Sequence, residues 1–144
     1  MTGRLKAICR HAVSRGPIET LETVAITEQD GVEGNARKPS RRRVVVMAAE
    51  AWAAACEELG ADLPWTLRRG NLLVEGLDLP KQPGARLRIG EVLLEVSEEV
   101  DPCAVMDAQH PGLRAALTPD WRGGVGCAVI EGGRVTVGDR VEIG

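Results

Sequence analysis

The sequence predicts a mainly β fold with a few helices, a β-rich α+β arrangement whose short strands make a small, mostly antiparallel barrel or folded sheet. Three observations predict it. Short β-branched and apolar runs alternate with turn-forming residues, one stretch alone carries the period of a long helix, and two later segments repeat an alternating pattern around a Gly-acid pair. The 144 residues, 44% hydrophobic and 27% charged, fit one globular domain over residues 1–144 rather than a disordered chain.

Residues 4–13 and 21–26 are rich in β-branched and apolar side chains and read as strands. Ser14-Arg15-Gly16-Pro17 between them supplies a turn, and Gly31-Val32-Glu33-Gly34-Asn35 supplies a tight backbone path. Arg43-Val44-Val45-Val46-Met47 is a continuous apolar run that suits a strand buried on both faces. From Ala48 to Leu59 the spacing of Ala48, Ala51, Trp52, Ala55 and Leu59 is helical, and Gly60 sits where a left-handed cap ends the helix. Pro64 and Gly70 bracket a connector, and residues 71–74 form a short strand before Gly76. Residues 84–93 align with residues 132–141, apolar on apolar and Gly90-Glu91 on Gly138-Asp139, so each copy is expected to be a hairpin. Strands are also expected over residues 92–100 and 125–130.

Composition excludes several classes of function. A net charge of −3 and the absence of Tyr and Phe, with Trp52, Trp65 and Trp121 the only aromatics, disfavour nucleic-acid binding. No stretch approaches the roughly 20 apolar residues that span a bilayer, and the start lacks the apolar run of a secretory signal, so a cytoplasmic location is expected. The four cysteines form no CxxC pair and read as free thiols; Cys9, Cys56 and Cys127 lie within predicted strands or the helix and read as packing residues. Neither His11 nor His110 has a neighbour at metal-ligand spacing, and no GxSxG elbow, P-loop or dinucleotide fingerprint is present.

Two segments carry candidate chemistry. Asp101-Pro102-Cys103 reads as the opening of a short helix, with Asp as cap and Pro at the first position. Unpaired amides there stabilise a thiolate, which makes Cys103 either a nucleophile able to carry a persulfide or ligate a soft metal, or one more packing thiol. Residues 37–43 hold Arg37, Lys38, Arg41, Arg42 and Arg43 beside the Gly31–Gly34 turn, an arrangement that either holds an anion or is simply solvated.

Taken in order, Gly31-Val32-Glu33-Gly34-Asn35, Arg42-Arg43-Val44-Val45-Val46, the run 68–79 with Asn71-Leu72-Leu73-Val74, the segment 84–91, Pro102-Cys103, and 124–139 resemble the MOSC domain, the molybdenum cofactor sulfurase C-terminal domain, as a short stand-alone member. The resemblance implies a β-barrel similar to the pyruvate kinase β-barrel domain. It implies Cys103 as sulfur carrier or molybdenum ligand, Asn71 lining the cleft, and Arg41, Arg42 and Arg43 near the anionic end of a molybdenum cofactor (molybdopterin). Pyridoxal phosphate is not expected within this chain, so a cysteine desulfurase or a molybdoenzyme apoprotein is the expected partner. Whether the protein is an enzyme stays open among three readings. These are a cofactor-binding or sulfur-carrying protein, a molybdenum-dependent reductase of N-hydroxylated compounds with a separate electron donor, and a non-catalytic binding or scaffold domain. Two departures from the family pattern stand out: Asn35 replaces a common Asp, and Arg43 a common Gln.

Overall fold

The structure, a computed structural model, describes residues 2–12, 17–35, 44–68, 70–100, 102 and 104–144. In chain order its elements are β1 (Thr2–Arg10), β2 (Glu19–Leu21), β3 (Thr23–Thr27), β4 (Gly31–Val32), β5 (Val44–Ala48), α1 (Ala49–Leu59), β6 (Leu72–Glu75), β7 (Arg86–Ile89), β8 (Val92–Glu99), α2 (Ala104–Gln109), α3 (Leu113–Leu117), β9 (Val125–Glu131), β10 (Gly133–Thr136) and β11 (Arg140–Ile143). Single 3-10 turns span Trp65–Arg68 and Pro119–Trp121.

Among the described residues, seven strands close into a barrel in the order β1, β6, β5, β9, β8, β7, β11 and back to β1, where Gly3 lies opposite Val141. Among the described strands only β5 and β6 run parallel, joined by α1. β2 hangs on the far end of β1 outside the ring, and β10, β3 and β4 form a second small sheet. The inward residues of that sheet, Val24, Ile26, Val32 and Val135, pack into the same apolar cluster that fills the barrel. The expectation of a mainly β barrel with a few helices therefore holds.

The unbroken apolar run of β5 has a simple cause. Val44, Val46 and Ala48 point into the barrel cluster, whereas Met47 points outward into a second cluster with Trp52, Ala55, Leu73, Met106, Leu113 and Leu117. β6 divides the same way, with Leu72 and Val74 inside and Leu73 outside. The wall made by this parallel pair is thus apolar on both faces, because α1, α2 and α3 cover the side away from the lumen. Trp52 fixes α1 on it by burying its ring and donating from Nε1 to the Leu63 carbonyl at 2.8 Å. The helix ends as its sequence requires: Gly60 has φ 63°, and its N–H caps the carbonyls of Cys56 and Glu57.

Two expectations are corrected. The strand expected over residues 21–26 is broken at Glu22, because the chain leaves the barrel there to pair β3 with β10; Thr23 Oγ1 donates to the Val135 carbonyl at 3.0 Å. The first Gly-acid repeat is a two-residue hairpin, with Ile89 opposite Val92 and Gly90 at φ 54°. The second is not a hairpin. β11 is held on both edges by β7 and β1, so β10 turns away at Gly138, φ 97°, and pairs with β3.

The two repeats nevertheless converge. Glu91 Oε1 accepts from the Arg134 amide at 3.0 Å and Asp139 Oδ2 from the Thr136 amide at 2.8 Å. These are alternate amides of β10, so both turn carboxylates cover the edge of that strand opposite β3. Glu91→Ala and Asp139→Ala are each expected to lower the unfolding free energy by about 1 kcal/mol, while Asp139→Asn, which still accepts, costs less; urea denaturation measures both.

Candidate functional site

Asn71 is the one buried polar side chain among the described residues, 3% exposed, and it stands where β6 begins. Its amide nitrogen donates to the Val45 carbonyl at 2.9 Å, and its carbonyl accepts from Cys9 at 2.8 Å. The side chain repeats the pattern: Oδ1 accepts from the Val45 amide at 3.0 Å, and Nδ2 donates to the Cys9 carbonyl at 3.3 Å. An amide group suits this place because it offers an acceptor to one strand and a donor to the other. Asn71 therefore bridges β5 and β1 within the barrel wall. Its row continues across the wall, with Val45 opposite Gly126 of β9 and Gly126 opposite Glu98 of β8.

The end of β1 carries a second cluster beside this bridge. The Arg10 guanidinium donates to the Glu33 carbonyl at 3.0 Å and pairs with Glu19 at 3.3 Å, while its buried Nε has no hydrogen-bond partner among the described residues. Gly34 closes over it so tightly that a Cβ there would stand 2.9 Å from Nη1. Asn35 Oδ1 accepts from the His11 amide at 2.9 Å. The glycine turn is latched to β1 through neutral acceptors, and Asn35 makes with a side-chain amide a bond that an Asp carboxylate would also accept, without adding a charge.

Of the residues proposed from sequence, Cys103, Arg41, Arg42 and Arg43 lie outside the described residues. What flanks them is described: Val44, fully buried, follows Arg43, and the half-buried Pro102 and helix α2 border Cys103. β8 ends one residue beyond the Asn71 row, and the Val100 amide then donates to Gly124 at 3.0 Å. α2 has only six residues, so the dipole behind the Cys103 segment is a short one. The Arg10 cluster was not singled out from sequence, because nothing local marks an arginine at a strand end as facing a glycine turn 23 residues away.

The described thiols differ sharply. Cys127 is sealed in the barrel, and burial pushes its thiol up to about 12. Burial also raises that of Cys9, partly offset by its contact with Thr20 Oγ1 at 3.9 Å. Cys56 is half-buried on an apolar groove beside Trp52, Leu63 and Trp65. No three His, Cys, Asp or Glu gather as a metal site among the described residues, and no described helix is long and apolar enough to cross a membrane.

The MOSC domain model matches residues 28–142 of this chain. The chain belongs to the MOSC family. Its fold is similar to the crystal structure of the YuaD protein from Bacillus subtilis, with a TM-score of 0.83 and 19% identity over 99% of this chain and 96% of that one. It is similar also to YiiM from Escherichia coli, with TM-score 0.72 and 19% identity over 98% and 69% of the two chains. For YiiM from Geobacillus stearothermophilus the values are 0.68 and 17%, over 99% and 73%. A search of curated proteins gave no match.

MOSC domains are associated with the molybdenum cofactor. The described residues at the end of β1 fit an anionic group in one respect: the buried Arg10 Nε is a donor on a cation with no partner among the described residues, beside a turn whose Gly34 has φ 82°.

Two outcomes follow for this region. Asn71→Leu leaves the Val45 amide and the Cys9 carbonyl without their side-chain partner and is expected to cost roughly 2–4 kcal/mol in urea denaturation. Asn71→Asp keeps the acceptor but sets a carboxylate against the Cys9 carbonyl, so that variant gains stability as pH falls and the acid protonates. Cys127 acts in the opposite range. Its folded-state value lies above the ordinary 9.0, so its contribution to stability is complete below about pH 9 and lost as pH rises toward 12. The stability of Cys127→Ala, followed from pH 8 to 11, is expected to fall less steeply than that of the parent, by on the order of 2–3 kcal/mol at the upper end.

Proposed function

We propose that this MOSC protein binds the molybdenum cofactor and handles sulfur through Cys103, with Arg41, Arg42 and Arg43 holding the anionic end of the bound group. The observation that carries the reading is the family match over residues 28–142, which takes in all four residues together with Asn71. The buried Arg10 Nε, which has no hydrogen-bond partner among the described residues and follows the Cys9 that Asn71 bonds, supports it, since an oxyanion satisfies such a donor better than a neutral group does. Asn71, engaged at both ends of its amide, acts by holding β5 and β1 at fixed separation.

Sulfur handling needs a donor, and a cysteine desulfurase carrying a persulfide is the partner class. The Cys103 thiolate attacks the outer sulfur of that persulfide, the donor's sulfur–sulfur bond breaks, and the donor leaves as a thiolate while Cys103 holds the persulfide. No net oxidation occurs. When bound, the cofactor supplies a molybdenum centre with affinity for soft sulfur ligands. The protein's own share is to hold the anion with arginines and to keep Cys9 and Cys127, both buried, out of thiol exchange.

Protein purified without reductant is expected to contain molybdenum and a fluorescent pterin, or to gain about 32 Da, one sulfur atom, after incubation with a desulfurase and cysteine. Cys103→Ala is expected to lose the sulfur adduct while Cys56→Ala retains it. Finding neither metal, pterin nor adduct, or an adduct indifferent to Cys103, overturns the reading.

A further inference from the structure

At the opposite end of β5 from Asn71, about 10 Å along the strand from Val45, the barrel wall borders a cavity of about 260 Å³. Ala51 and Ala54 of α1, Leu79 and Val125 give it apolar walls, and Trp121 forms a side that also packs on the barrel core. The chain there departs from ordinary backbone geometry: Asp120 and Trp121 have φ of 54° and 55°. A bulky residue in that region is an outlier, and such conformations persist where the surroundings enforce them, often at ligand sites.

The charges at the rim are of both signs and not all are used. Glu50 accepts from the Gly76 amide at 2.8 Å, and Arg122 pairs with Glu58 at 2.8 Å and donates to the Ala116 carbonyl at 2.9 Å. Asp78, Lys81 and Asp120 make no hydrogen bond or ion pair among the described residues. A simple anion would face Asp78 and Asp120, and a simple cation would face Lys81. A ligand with one charge of each sign meets both, and the indole adds a surface on which an ammonium is favoured.

We infer that this cavity binds a small zwitterion, an α-amino acid with a short aliphatic side chain. Its ammonium group lies toward Asp78, Asp120 and the Trp121 ring, its carboxylate toward Lys81, and its side chain among Ala51, Ala54 and Leu79. The inference is independent of Cys103 and of the cofactor. The left-handed pair is then the local cost of presenting a carboxylate and an indole to one ligand.

Saturation-transfer NMR on the full chain tests it with L-leucine as probe, beside isoamylamine and 4-methylpentanoate, which keep the side chain but carry one charge each. Leucine is expected to show transfer, and each one-charge analogue to bind about three- to tenfold more weakly. Lys81→Gln and Asp120→Asn, both surface changes, are expected to weaken leucine by a similar factor, and Ala51→Leu to abolish binding by filling the cavity. Asp120→Gly separates function from architecture: relief of the left-handed geometry is expected to raise the melting temperature while affinity falls. No transfer from leucine, equal binding of both analogues, or affinity unchanged in Lys81→Gln and Asp120→Asn overturns the proposal.

Discussion

The two-sided burial of the parallel pair β5 and β6 governs the rest of the architecture. A wall strand of a barrel ordinarily alternates between lumen and solvent, yet Met47 and Leu73 are as buried as the valines that flank them. Three helices must lie on that face to keep the apolar side chains from water, and the single parallel connection through α1 delivers the first of them there. Both clusters share the same strands. A change in either is felt through one layer of backbone by the other, and the Asn71 bridge lies within that layer.

Much of this was legible in the sequence, and the boundary of legibility has a physical reason. The unbroken run at β5, the helical spacing that starts at Ala48 and the glycine after Leu59 are local signals, and the elements they predict are present. What failed was partner choice. Residues 21–26 alternate as one strand would, but their pairing switches sheets at Glu22, and the second Gly-acid segment looks like the first while its strands find different neighbours. Such outcomes are set by which edges remain open once the ring closes, which no window of sequence records. The short helix α3 was missed for a related reason, since its five residues owe their shape to burial of Leu113, Ala116 and Leu117 more than to periodicity.

The candidate site was legible in a different manner. Order and spacing of short motifs pointed to the MOSC family, and the family match spans those motifs. Residue by residue, the picture is uneven. Asn71 was expected, from the family resemblance alone, to line the cleft, and its double engagement with Val45 and Cys9 is a property of three strands meeting. Arg10, by contrast, offers no pattern in sequence. Its place beneath Gly34 exists only because β1 is long enough to carry β2 and the glycine turn past the rim of the barrel.

The ring closes through contacts between β1 and β11, the first and last strands in chain order. During synthesis β1 is complete long before its neighbour is made, so one of its edges waits exposed while β6 occupies the other. A nascent chain in that condition is vulnerable to pairing with another of its kind. Closure of this barrel therefore waits until β11 has been made, and the slowest contact to form is the one between its most distant strands.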